Sequence, residues 1–177
     1  MIIRLTKRKD GSVILRCDRP DGTAAWQRQD GQLSYVFPIH DITHYVVETE
    51  LGFSSGFFGL IADGWDIRDT TGKGARGPLP PEAVTVENIV GLFDVQRSLR
   101  VEWTADEVNE QARIYLAARG GAGLRPLTDE EIVRVRTRVS ELAQRWHELG
   151  PDETLELSFD TATREASHVE TKNRRNH

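Results

Sequence analysis

The segment Pro38-Ile39-His40-Asp41-Ile42-Thr43-His44-Tyr45-Val46-Val47-Glu48-Thr49-Glu50-Leu51 decides how the chain is read. As a helix over Ile39 to Leu51 it stacks His40, His44 and Glu48 along one stripe, because residues four apart lie one above another. Val47 and Leu51 flank that stripe and place it at the edge of an apolar face. A second helix from Ser54 to Gly64, folding back about Gly52 and Phe53, makes residues 38–67 an antiparallel helical hairpin. The competing start is Asp41 as an N-cap, which would leave His40 outside the helix.

Upstream, the turn signals Asp10-Gly11, Asp21-Gly22 and Asp30-Gly31 punctuate the first thirty residues. Ile3 and Leu5 alternate with polar neighbours, as do Val13, Leu15 and Cys17, and Trp26 sits in a third short segment. Residues 1–37 therefore read as an antiparallel β-meander with one buried face, Leu33 to Phe37 adding a fourth strand that Pro38 ends. Cys17, at a core position, reads as a small buried hydrophobe.

Downstream, residues 68–81 form a Gly- and Pro-rich loop, long enough to carry function. Glu82 to Glu102 has apolar residues on too many sides for one stripe, so most of that helix is expected to be buried. Thr104-Ala105-Asp106-Glu107 and Thr128-Asp129-Glu130-Glu131 are capping boxes opening two further helices, stopped by Gly120-Gly121 and Gly150-Pro151. The stripe Ile132, Val135, Val139, Leu142, Trp146, Leu149 is a core face that could also serve a homodimer seam. His147 sits in the last turn of its helix, where positive charge is favourable. Leu155, Leu157 and Phe159 alternate as a last strand. The expected fold is α+β: an N-terminal antiparallel meander and a C-terminal strand packed with about five helices. It occupies 1–159 as one domain, with 160–177, including His168 and His177, a polar flexible tail.

Bulk properties bound the function. The 177 residues carry 23 basic and 28 acidic side chains, a net charge of -5, and no apolar run approaching a membrane span. That balance excludes a generic nucleic-acid or anionic-membrane binder. The single cysteine cannot form an internal disulfide, and Met1-Ile2-Ile3-Arg4 lacks signal-peptide character, so the expected compartment is cytoplasmic.

The string His40-Asp41-Ile42-Thr43-His44 resembles the H-E-x-x-H helix of zinc metallopeptidases at both histidines and departs from it at Asp41, where that family has Glu. The resemblance covers five residues and implies His40 and His44 as metal ligands, with the intervening carboxylate acting on water. From the hairpin geometry, Asp63 or Asp66 on the second helix would complete an N2O1 site suited to Zn, Fe or Mn. Glu48 is an alternative ligand beside His44, since it rises too far along the helix from His40 to share one ion with it. Asp41 or Glu48 would be the base, and the protein a metal-dependent hydrolase. The alternative is a non-catalytic protein that binds a small molecule or protein partner and whose histidines are structural.

Two other patterns overlap this region. Gly52-Phe53-Ser54-Ser55-Gly56 fits G-x-S-x-G, with Ser54 as a nucleophile if Thr43 to Leu51 were a strand, but the chain lacks the alternating βα units that such a sheet requires. Gly72-Lys73-Gly74-Ala75-Arg76-Gly77 is literally G-x-G-x-x-G, yet no strand precedes it and prolines follow where a phosphate-binding helix would begin. Lys73 and Arg76 could instead cover an anionic ligand in a nearby cleft.

Overall fold

The computed structural model describes residues 1–72, 74 and 76–160. The tail beyond Asp160, with His168 and His177, and the loop lysine Lys73 lie outside the described residues. Strands β1 (Ile2–Lys7), β2 (Val13–Asp18), β3 (Ala24–Gln29) and β4 (Thr154–Ser158) form one antiparallel sheet in the order β3-β2-β1-β4. The α-helices among the described residues are α1 (Leu33–Leu51), α2 (Phe57–Ala62), α3 (Pro81–Leu99), α4 (Ala105–Arg119) and α5 (Asp129–Glu148), and a single 3-10 turn at Asp69–Thr71 interrupts the loop before α3. The α+β architecture with three N-terminal strands and one late strand is as the patterning predicts.

Register explains the single core. Ile3 lies between Cys17 and Leu157, and Leu5 between Leu15 and Leu155, so the alternating apolar residues of three strands share one face. All six are buried, and Cys17 behaves as a core residue, its thiol pushed up to about 12 mainly by burial. The opposite face is polar, with Arg4 paired to Glu156 and Asp18. Helix α1 lies across the buried face, touching β2 and β3, and packs between α3 and α5.

The expected strand over Leu33 to Phe37 is instead the start of α1. After the Asp30-Gly31 turn, the N–H groups of Leu33 and Ser34 bond back to the carbonyls of Asp30 and Gly31, and the chain turns directly into helix. Leu33, Tyr35 and Val36 are consequently exposed rather than paired in a sheet. Pro38 sits inside the helix and buried. It forfeits one backbone hydrogen bond without ending the element, since its fixed φ is compatible with helix.

Both capping boxes are present as read, on α4 through Thr104 and Glu107 and on α5 through Thr128 and Glu131. Helix α3 stops at Arg100, whose φ of 56° is left-handed. Helix α2 is shorter than the expected Ser54 to Gly64. Gly64 turns left-handed at φ 87°, and the Arg19 guanidinium takes the carbonyls of Ile61 (2.5 Å) and Trp65 (2.6 Å), tying the end of α2 to the end of β2.

Candidate metal centre

Because α1 begins at Leu33, Asp41 is interior to it, and His40 and His44 stand one turn apart on the same stripe. Their rings meet edge to face, 4.7 Å between centroids. Helix α3 packs against that stripe and contributes two acids seven residues apart, Glu87 and Asp94.

Asp94 Oδ2 lies 2.7 Å from His40 Nδ1. Its other oxygen accepts from Arg97 Nη2 at 3.2 Å and from Thr43 Oγ1 at 3.4 Å. Burial raises the Asp94 pKa, but His40 and Arg97 outweigh it and hold the carboxylate below its usual range. An ionised carboxylate beside Nδ1 puts the imidazole proton there, which leaves Nε2 of His40 as the free ring nitrogen.

His44 is buried, with Nε2 3.3 Å from Glu87 Oε1 and Nδ1 3.6 Å from Glu48 Oε1. The second distance is beyond a hydrogen bond, and among the described residues Nδ1 has no hydrogen-bond partner. Burial disfavours the charged imidazolium, but the carboxylates of Glu48 and Glu87 on either side dominate and push its pKa up to about 10. Glu87 has a side chain 47% exposed and is lowered in turn: burial alone would raise it, and the contact with His44 prevails.

His40, His44 and Glu87 each offer one ligand atom, and the three atoms lie within 4.8 Å of one another. Ligands about 2 Å from a shared ion stand at most about 4 Å apart, a spacing that His44 Nε2 and Glu87 Oε1, at 3.3 Å, already meet. All three residues line a cavity of about 310 Å³ whose apolar walls include Leu33, Phe37, Phe57 and Ile67. Asp41 lines it too, on the side facing the sheet, accepting from Gln29 Nε2 at 2.7 Å. Burial is the main cause of its raised pKa, about 6, the hydrogen bond from Gln29 opposing it.

The remaining site residues expected from the sequence are placed elsewhere. Asp63 caps the C-terminus of α2, and Asp66 accepts the N–H of Arg68 at 3.0 Å. Neither joins the histidines, because the Arg19 clamp ends α2 away from them, and Glu87 takes the position expected of an acid from the second helix. Glu48 is committed to structure: its two oxygens accept the N–H groups of Phe58 (3.1 Å) and Gly59 (2.9 Å) in the first turn of α2. It backs His44 and does not line the cavity.

Ser54 follows a helix rather than a strand. Its N–H and that of Ser55 both donate to Glu82 Oε1, at 2.5 and 2.7 Å, so the nucleophile-elbow geometry is absent here. Arg76 donates to the Gly64 carbonyl at 2.9 Å and lies 5.4 Å from the centre of the Trp65 ring.

Glu87 and Asp94 were not singled out by sequence reasoning. Their signal is two acids on one face of a helix whose apolar content otherwise predicts burial, a spacing of seven that equals two turns. Comparison of the chain with protein-family models, with curated proteins and with solved structures finds no match.

Proposed function

We propose that this protein binds one divalent transition metal ion, Zn foremost and Mn or Fe by the same donor set, through His40, His44 and Glu87. The observation that carries the reading is the convergence of those three ligand atoms within 4.8 Å at the wall of a cavity, with a carboxylate behind each histidine. Two imidazoles and one carboxylate leave a position open, which is the donor pattern of catalytic rather than structural zinc. Asp94 serves as the outer carboxylate that orients His40, and Glu48 stands 3.6 Å behind His44 Nδ1 as a nearby negative charge.

The activity we propose is hydrolysis of a small, partly apolar substrate. An ion held there supplies Lewis acidity and lowers the pKa of water. Asp41 is the group placed for proton transfer: it lines the cavity, and burial brings its pKa to about 6, near the working range of a general base. Gln29 fixes its carboxylate from the sheet side. Glu48 acts by positioning, through His44 and α2.

One observation favours a second reading, a binding protein with structural histidines. A protonated His44 between Glu48 and Glu87 is neutralised without any metal, and His40 with Asp94 is likewise complete. Metal content separates the two. Protein purified without an affinity tag is expected to carry or take up about one Zn per chain. Glu87→Ala, which truncates a half-exposed side chain and leaves the core intact, is expected to abolish uptake. Hydrolysis of a neutral aryl ester should then follow metal occupancy. A folded wild type that shows no saturable Zn uptake sinks the metal reading and leaves the structural one.

A further inference from the structure

A second cavity, of about 430 Å³, opens among α1, α3 and α5; it shares no lining residue with the cavity at the metal centre, and Thr43 and Arg97 of its wall hold Asp94 from the other side. Its size is within the usual range of small-molecule sites, about 300–1,000 Å³. Phe93, Val139 and Ala143 supply an apolar floor. Three guanidinium groups stand around it, from Arg97, Arg100 and Arg136, against one acid, Glu102.

The three arginines are not equally committed. Arg136 spends Nη2 on Gln96 Oε1 and the Trp103 carbonyl, and among the described residues its buried Nε has no hydrogen-bond partner. Arg97 is paired with Asp94 through Nη2. Among the described residues the Arg100 side chain has no ion pair and no hydrogen bond. The end of α3 beneath it would ordinarily repel an anion. Here the carbonyls of Gln96 and Arg97 already accept the N–H groups of Val101 and Arg100, which blunts that repulsion.

We propose that this cavity binds a small amphiphilic carboxylate, its hydrocarbon part on Phe93, Val139 and Ala143 and its head group on Arg100. The planar fork of a guanidinium matches a carboxylate bidentately, and with Arg97 paired to Asp94 it is Arg100 that stands at this cavity with its fork uncommitted. A cation or a neutral alcohol gains nothing from that arrangement. The assignment is independent of the metal reading, and its test uses metal-free protein.

Octanoate is the probe, below its micellar concentration, with octylammonium and octanol as controls. Calorimetry is expected to show saturable one-to-one binding of octanoate, at least tenfold tighter than either control. NMR shifts should fall on Phe93, Val101, Val139 and Ala143 rather than on Phe37 and Phe57. Arg100→Gly should weaken binding about tenfold, and Arg100→Lys should recover part of the loss. The glycine variant is expected to fold, because φ at this position is 56°, a conformation glycine adopts without strain. Absence of saturable binding, equal binding of octylammonium or octanol, shifts at the Phe37 and Phe57 cavity, or no effect of Arg100→Gly would each overturn the proposal.

Discussion

Asp94 on α3 and His40 on α1 meet at 2.7 Å, Oδ2 to Nδ1, and this contact engages Nδ1 and leaves Nε2 as the other ring nitrogen. The carboxylate is itself held by Arg97 and Thr43, so the imidazole is anchored through a chain of groups at the edge of the core. Asp94→Asn keeps the shape but removes the charge that favours the Nδ1–H tautomer. Outer-shell carboxylates of this kind are worth about 10–100-fold in metal affinity. Zn affinity measured against a competing chelator should fall by that range in Asp94→Asn, with the circular dichroism spectrum unchanged. Unaltered affinity would mean that His40 Nε2 is not a ligand.

His44 links the site to stability. Its folded-state pKa, about 10, lies above the ordinary 6.5, so its contribution is complete below about pH 6.5 and is lost as pH rises toward 10. The titratable groups facing it are Glu48, Glu87 and His40. Metal-free protein should therefore lose stability between pH 7 and 9.5, by up to about 1.4 kcal/mol per pH unit from this group. His44→Gln should be less stable than wild type at pH 7, with the gap narrowing toward pH 9.5 in urea titrations. Parallel curves for the two proteins would show that His44 is neutral when folded.

The same proton competes with a metal. A ligating imidazole must be deprotonated, so Zn binding has to displace the proton that Glu48 and Glu87 hold on His44. Apparent Zn affinity should rise roughly tenfold per pH unit between pH 6.5 and 8.5, the slope for release of one proton. Chelator-buffered titrations read this directly. A flat profile would place the metal elsewhere or leave His44 out of its shell.

What could be read from the sequence divides by the range of the interaction. Thr128 with Glu131 and the stripe from Ile132 to Trp146 define α5 because caps and helical spacing are local, and the structure places the same residues in those roles. His40 and His44 were legible for the same reason, a separation of one turn within one helix. Leu33 to Phe37 misleads because its alternation imitates a strand and Pro38 imitates a stop. The backbone bonds to Asp30 and Gly31 that start the helix leave no mark in composition. Glu87 and Asp94 reach the histidines only through the packing of α3 on α1, across about forty residues or more of intervening chain. Asp63 and Asp66 fail for the complementary reason: a hairpin drawn from two helices alone omits Arg19, a strand-end residue that redirects the second.

Gly56 and Glu48 provide the sharpest test of how α2 supports the site. Glu48 reaches from α1 into the first turn of α2, where its oxygens satisfy Phe58 and Gly59 N–H groups that have no helical partner. A Cβ on Gly56 would stand 2.7 Å from Glu48 Cγ, closer than carbon atoms pack, and the carboxylate behind it is buried and cannot swing into solvent. Gly56→Ala should therefore cost about 1–3 kcal/mol in urea unfolding, the usual range for overpacking. Glu48→Ala should also destabilise, by leaving two buried donors unpaired. Since both changes break the same contact, the double variant should lose clearly less than the sum of the singles. Strict additivity would mean that α2 adjusts around the new methyl, and that Glu48 does not fix the position of His44 through this cradle.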